Sequence, residues 1–555
     1  MKRVRLFQDG LSVNALILLV AAFLTAFGNG AFIANVLKVY PVSRGNFLPL
    51  VSLIAVFGGA TVILLSALCF KRTTKPVLIL ILLLSSLAAY FMDSYGVVVS
   101  DEMLHNVVQT NVAESRDLVT VRMAAYVALL GILPAIVVGR LRLQWRGLLA
   151  ESLSRLKLVG VTVSVMAALV LAFGSFYASF FREHKALRAY ANPTYYAYAV
   201  VKYARQRLTP RDDAALSPIG TDARIPASDV HRELIIMALG ETARADRFSL
   251  NGYARDTNPQ LRKAGAISFS NVWACGTSTA VSVPCMFSLD GESRSASRNP
   301  THENLLDVLQ HAGVNVLWRD NNSNSKSVAL RVPYQDYRSP KVNPVCDLEC
   351  RDEGMLSGLQ AYIDAHPKGD IFIVLHQLGN HGPAYYRRYP AAFERFTPAC
   401  RSDDLSRCSG EEIDNAYDNA ILYTDHFLAK IIALLENNDA RFETALFYVS
   451  DHGESLGENG IYLHGMPKLI APEAQVHVPV VMWFGKSFDD VDLPALRRKR
   501  DLRLTHANIF HTVLGFLEIE TAIYRPEMDI LNEAHTLHER VAARPQRGEP
   551  RPIGR

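Results

Sequence analysis

The stretch Glu233–Tyr253, ELIIMALGETARADRFSLNGY, decides the fold of the larger part of the chain. After Glu233 the run is apolar up to Gly240, too short for a buried helix, and reads as a strand covered on both faces. Working outward, VNVLWRD (314–320), IFIVLHQ (371–377), TALFYVSDHG (444–453) and VPVVMWF (478–484) repeat the pattern, several of them followed by helical stretches. Together they predict an α/β domain with a mainly parallel sheet and helices on both faces. In such sheets ligands gather outside the carboxyl ends of the strands, which says where to look for chemistry.

Polar residues stand at those ends. Glu241 follows the first strand, Asp451 and His452 follow TALFYVS, and His381 follows IFIVLHQ in GNHGPAYY. His464 comes after His452 across a glycine-containing loop. Singly, a strand-end carboxylate is a helix cap and a histidine is structural. Jointly, a Glu, an Asp and a His form a metal constellation of nitrogen and oxygen donors, which suits zinc better than magnesium or manganese. The segment CGTSTAVSVPC (275–285) offers four hydroxyls as nucleophile: Thr277, Ser278, Thr279 and Ser282. A hydroxyl on zinc loses its proton near neutral pH, and a helix beginning here would favour a phosphate at its amino end. Spacing does not choose among the four.

The 555 residues exceed one ordinary domain. Mean hydropathy is +0.09 although 20% of residues are charged, because an apolar N-terminal third precedes a polar remainder. The net charge of +4 carries no basic, aromatic-interleaved patch, so nucleic acid is excluded as a partner. Five apolar stretches, at 12–36, 47–70, 76–97, 119–139 and 158–181, are long enough to span roughly 30 Å of hydrocarbon. Lys and Arg collect at Lys2–Arg5, Lys71–Lys75 and Arg140–Lys157, which makes the N-terminus cytoplasmic and everything after the fifth span extracytoplasmic. Six of the seven cysteines lie as close neighbours, and in an oxidising compartment they read as Cys275–Cys285, Cys346–Cys350 and Cys400–Cys408.

Residues 101–117, DEMLHNVVQTNVAESRD, have few breakers, and a helix there would put Asn106, Thr110 and Glu114 on one face. The domain boundaries expected are 1–181 for the membrane part, 182–230 for an interfacial helix and linker, and 231–536 for the extracytoplasmic domain. A loosely ordered tail is expected over 537–555.

At five motifs the chain resembles the phosphoethanolamine transferases that decorate lipopolysaccharide, most of all the lipid A enzymes, a group that includes the mobile colistin resistance enzymes. The motifs are GETARADRFSLNGYARDTNP, CGTSTAVSVPCMFS, LWRDNNSNSK, LHQLGNHGPAYYRRYP and SDHGESLGENGIYLHGMP. The resemblance implies an alkaline-phosphatase-like (sulfatase-like) α/β/α domain in the periplasm, borne by a five-helix domain in the bacterial inner membrane. It implies zinc on Glu241, Thr279, Asp451 and His452, and leaves a second zinc ion open. It selects Thr279 as the residue that carries phosphoethanolamine. Ser323, Lys326, His381 and His464 become substrate-side positions, and Asn106, Thr110 and Glu114 become lipid-headgroup contacts. The implied donor is phosphatidylethanolamine and the implied acceptor a lipid A phosphate, with an inner-core sugar (Kdo or heptose) or water as the alternatives. The enzyme is expected to be a monomer.

Overall fold

The computed structural model describes residues 10–109, 116–208, 216–292 and 302–532. The chain divides into two compact units. The first takes in Met1–Arg211 together with Asp403–Arg407 and Ser455–Ile470, and the second holds the rest. The stretch 455–470, with His464, therefore belongs by its contacts to the first unit, although its sequence lies inside the α/β pattern.

In the first unit, Phe47–Leu68, Thr74–Tyr95, Val121–Arg140 and Leu148–Ala172 are each long and apolar enough to cross a membrane. The first expected span is broken. Val13–Phe27 and Gly30–Val39 meet at 56°. A break in hydrocarbon leaves backbone groups to be satisfied, and here side chains do it. Asn29 Nδ2 donates to Leu24 O (2.9 Å) and Asn192 O (2.7 Å), and Ala31 N–H donates to Asp93 Oδ1 (2.6 Å).

The fifth span is also shifted. It runs as Leu148–Ala172, breaks at Phe173 and resumes as Gly174–Glu183. Hydropathy marks only the apolar part, whereas the helix starts earlier, in the basic flank around Arg155 and Lys157. Its 25 residues reach about 37 Å. Asp101–Gln109 and Thr194–Leu208 are helical, as the sequence allowed. Thr110, Glu114 and the 537–555 tail lie outside the described residues.

The second unit is built on one sheet. In chain order its strands are β1 (Glu233–Gly240), β2 (Ile267–Trp273), β3 (Asn315–Asp320) and β4 (Tyr334–Asp336), then β5 (Ile371–His376), β6 (Glu443–Ser450), β7 (His477–Phe484) and β8 (Leu504–Thr505). Their order across the sheet is β8-β2-β7-β6-β1-β5-β3-β4. Every pairing is parallel except those of β7, which runs antiparallel to both β2 and β6.

β1 is wholly buried. Ile235, Met237 and Leu239 share one core cluster with the helices Thr279–Met286, Leu305–His311 and Ala507–Phe516. Alternation sends Leu234, Ile236 and Ala238 to the other face. There the helix Gly410–Glu436, started by a Ser409/Glu412 capping box, packs on β1 and β6. β2 escaped the sequence reading because Ser268, Ser270 and Asn271 break its apolar run. The structure contains the three expected disulfides, Cys275–Cys285, Cys346–Cys350 and Cys400–Cys408.

Candidate active site at the carboxyl ends of β1 and β6

β1 and β6 are adjacent and parallel, with Gly240 opposite Ser450. Glu241 and Asp451, each one residue further on, therefore emerge side by side. Glu241, Asp451 and His452 are fully buried, and one donor atom of each lies within 4.8 Å of the others. His452 Nε2 is 3.2 Å from Glu241 Oε1 and 3.4 Å from Asp451 Oδ2. Its Nδ1 lies 2.9 Å from Gly453 O, so a proton on Nδ1 serves the carbonyl and Nε2 faces the carboxylates.

Thr279 begins the helix Thr279–Met286 behind an extended Ser278 that makes no side-chain cap. Its Oγ1 donates to Glu241 Oε2 at 3.0 Å and sits 3.4 Å from His452 Nε2. Ser282 is turned the other way, its hydroxyl exchanging 3.2 Å bonds with the backbone of Gly276. The Thr279 hydroxyl is thus hydrogen-bonded to the carboxylate cluster, and Thr279 is itself part-exposed.

The electrostatics call for a cation. Burial and the Glu241 charge hold Asp451 above the usual carboxylate range. Burial alone would lower the His452 pKa, but Asp451 and Glu241 outweigh it and push it up to about 10. A proton on His452 thus balances part of the buried negative charge. A divalent metal would balance all of it, with donors that match zinc: two carboxylate oxygens, an imidazole nitrogen and a hydroxyl. The residues fit the group that the sequence implies.

Several supporting residues carried no signal that the sequence reading used. Asn322 Nδ2 donates to Glu241 Oε2 (2.7 Å) and to Gln377 O (2.8 Å), fixing the carboxylate plane. His376, the last residue of β5, pairs its Nδ1 with Asp320 Oδ2 at 2.9 Å, both groups fully buried. Burial opposes charge on His376, but Asp320, Glu241 and Asp451 raise its pKa. Asp352 receives the N–H groups of Leu378 (2.8 Å) and Gly379 (3.1 Å), and so shapes the turn after β5. Gly379 has φ +55°, and a Cβ there would lie 2.8 Å from Glu241 O. Only glycine lets that turn close on the site. His506 joins two walls: its Nδ1 accepts from Cys275 N–H (3.2 Å), and its Nε2 lies 3.0 Å from Ser450 O. Asn322 and His376 lie in the segments whose readings rest on Ser323, Lys326 and His381, and Asp352 and His506 lie outside every motif read for chemistry.

The predicted substrate-side residues divide between the units. Ser323 and Lys326 are buried and His381 is half-buried, all in the second unit. Ser323 follows Asn322, and His381 follows Asn380, whose N–H donates to Glu241 O at 3.1 Å. Asn324, Lys326 and Ser327 have φ of +124°, +48° and +71°, backbone strain of a kind that concentrates at functional sites. His464 and Asn106 fall in the first unit. There Asn106 Nδ2 comes within 3.3 Å of where a Cβ on Gly465 would stand.

Two family profiles match the chain: "Phosphoethanolamine transferase EptA/EptB" over residues 57–208 and "Sulfatase" over 233–519. Phosphatidylethanolamine transferase Mcr-1 of Escherichia coli is 40% identical over 526 residues, 92% of this chain and 96% of that protein. The chain belongs to the phosphoethanolamine transferase family. Phosphoethanolamine transferase EptA of Escherichia coli K12, a further relative, is 37% identical over 96% of this chain and 99% of its own length. The integral membrane lipooligosaccharide phosphoethanolamine transferase A (EptA) of Neisseria meningitidis superposes with a TM-score of 0.89 at 35% identity, over 94% of this chain and 98% of that one. The chain is an integral membrane protein of the bacterial inner membrane, and its sulfatase-like domain is periplasmic.

Proposed function

We propose that the protein transfers phosphoethanolamine from phosphatidylethanolamine to a phosphate of lipid A by way of a phosphoethanolamine ester on Thr279. The observation that carries this reading is the Thr279 hydroxyl held between Glu241 and His452 in a chain of this family. In the first half-reaction Thr279 Oγ1 forms a bond to phosphorus. The bond from phosphorus to the diacylglycerol oxygen breaks, and that oxygen takes up a proton. In the second, a lipid A phosphate oxygen attacks the same phosphorus and returns the Thr279 hydroxyl. Covalent catalysis of this kind splits one transfer between two lipids into two simpler displacements.

Zinc held by Glu241, Thr279, Asp451 and His452 would supply the positive charge that favours an ionised hydroxyl. The chain's own residues do the rest. Asn322 orients Glu241, and the Gly453 carbonyl fixes the His452 tautomer. Val281 and Ser282 N–H donate to Ser278 O, and the N–H groups of Thr279 and Ala280 are left to meet developing negative charge. Lys326, His381 and His464 hold phosphate oxygens, and Asn106, Thr110 and Glu114 hold a lipid headgroup. A membrane anchor raises the effective concentration of both lipid substrates.

Mass spectrometry of lipid A from cells with and without the protein tests the reading. The expected result is an added phosphoethanolamine that disappears in Thr279→Ala while the protein remains folded. Modification surviving in Thr279→Ala would remove threonine from the mechanism. Unmodified lipid A with a modified inner-core sugar would move the acceptor, and free phosphoethanolamine alone would make the protein a hydrolase.

A further inference from the structure

The amino ends of the same strands carry a second cluster of donors, on the opposite edge of the sheet from Thr279. Glu233 opens β1, and Asp370 immediately precedes β5, whose Ile371 pairs with Leu234. Asp229 lies just upstream. Glu233 and Asp370 are 1% and 3% exposed. One oxygen of two of these carboxylates is engaged by backbone: Asp370 Oδ1 accepts from Glu233 N–H (3.2 Å) and Asp229 Oδ1 from His231 N–H (3.1 Å). With the carboxylates ionised, Asp229 Oδ2, Glu233 Oε2 and Asp370 Oδ2 are buried and meet no donor among the described residues; a proton would join Glu233 to Asp370. One oxygen from each of the three carboxylates lies within 4.8 Å of the others. Two oxygens on opposite sides of a calcium ion stand up to about 5 Å apart, so one ion can touch all three.

We propose that Asp229, Glu233 and Asp370 form a structural binding site for a hard divalent cation of the calcium type. The three donors are all oxygen, and among the described residues no nitrogen or sulfur ligand joins the triad, which separates this site from the one around His452. Arg232 offsets part of the charge, its guanidinium working to lower the Asp370 pKa, but its hydrogen bonds go elsewhere. Arg232 directs its guanidinium to the carbonyls of His366 and Gly369, each at 2.9 Å, and lies over the Phe442 ring. Against it stand the further charges of Asp490 and Glu518 and, across the β1–β6 ladder, Glu443, itself joined to His231 at 2.9 Å. Burial and the neighbouring carboxylates raise the pKa of Glu233, so without an ion the cluster must hold protons instead. An ion would tie together the starts of two strands whose other ends carry or support the catalytic residues.

The test uses the full-length, zinc-loaded protein in detergent, dialysed free of calcium and then titrated with calcium chloride at constant ionic strength. Radioactive calcium in equilibrium dialysis should show one ion bound per chain, and the thermal midpoint should rise by a few degrees as the site fills. The isosteric double variant Glu233→Gln/Asp370→Asn should lose both responses while keeping its zinc. Asp229→Asn, at the more open rim, should weaken calcium uptake roughly tenfold and provides the answer should the double variant not fold. Absence of calcium uptake by the folded wild-type protein, meaning a cluster held by protons alone, overturns the proposal. So does equal uptake by wild type and both variants.

Discussion

Strand β1 carries a buried glutamate at each end, and the two are treated differently. Glu241, after the carboxyl end, faces His452 and the Thr279 hydroxyl and is oriented by Asn322. Glu233, at the amino end, shares its surroundings with Asp370 and Asp229, and its Oε2 meets no donor among the described residues. Both are 1% exposed. A buried carboxylate costs free energy unless its charge is met. At the carboxyl end a proton on His452 meets part of it, and a transition metal could take that proton's place. At the other end Arg232 meets it in part, and the rest is left to protons or an oxygen-seeking ion. Burial alone therefore says nothing of function; the chemistry of the nearest donors does.

The largest effect should come from neutralising one carboxylate at each end. Asp451→Asn should cut phosphoethanolamine transfer by roughly a thousandfold or more and strip the zinc, since it removes a ligand and half of the charge that holds the metal. Glu233→Gln should keep its zinc by elemental analysis. Loss of zinc from both variants would mean that the two ends form one coupled site, and the contrast would fail.

Next is the Asp320–His376 pair, fully buried and close enough to Glu241 and Asp451 to feel their charge. Asp320→Asn leaves a buried imidazole without its counter-charge. Removing one partner of a buried pair costs about 3–5 kcal/mol, so thermal unfolding should shift strongly downward. Trp318 Nε1, 3.0 Å from Asp320 Oδ2, can still donate to the amide oxygen, so the variant should fold. An unchanged midpoint would show that His376 is neutral and that the pair contributes little.

His506 distinguishes position from chemistry. It touches backbone on both sides of the site, at Cys275 and Ser450. His506→Leu should lower kcat by roughly 10–100-fold with KM nearly unmoved, the range seen when outer contacts of a metal site are lost. His506→Gln, whose amide can still donate to Ser450 O, should recover part of it. A change confined to KM would place His506 on the substrate side instead.

How far these contrasts were legible in the sequence follows from the period of the signal. β1, β3, β5, β6 and β7 announce themselves as apolar runs, and a residue directly after such a run is placed at a strand end by covalent geometry alone. That made Glu241, Asp451 and His452 visible. That Thr279 faces them depends on how the helix Thr279–Met286 docks, a tertiary fact, and residue chemistry left four hydroxyls in play until the resemblance chose among them. Asn322, His376, Asp352 and His506 act through hydrogen bonds between segments apart in sequence, for which no local pattern exists. The same holds for the break at Gly28–Asn29. An apolar run reads as one span, whereas the Asn29–Asn192 bonds that stabilise the bend join residues 163 apart. The antiparallel course of β7 was hidden too, because a strand buried on both faces has the same composition in either direction.

The smallest effect is a slope with pH, and it belongs to the amino end. Burial and the Asp370 charge raise Asp229 from its usual 3.8 to about 6, and Glu233 is displaced upward as well. A carboxyl group whose folded pKa exceeds its unfolded one binds its proton more tightly when folded. Its contribution to stability is complete below the unfolded value and is lost as pH rises through the folded one. Calcium-free protein should therefore lose thermal stability as pH rises from about 4 through about 6 and beyond, other groups being equal. Asp229→Asn should remove the lower part of that slope. Saturating calcium should flatten it in the wild type, because an ion holds the ionised carboxylates that a proton otherwise must. A slope of the same size in wild type and Asp229→Asn would show that these carboxylates are already satisfied in solution, and the contrast between the two ends of β1 would reduce to one of position.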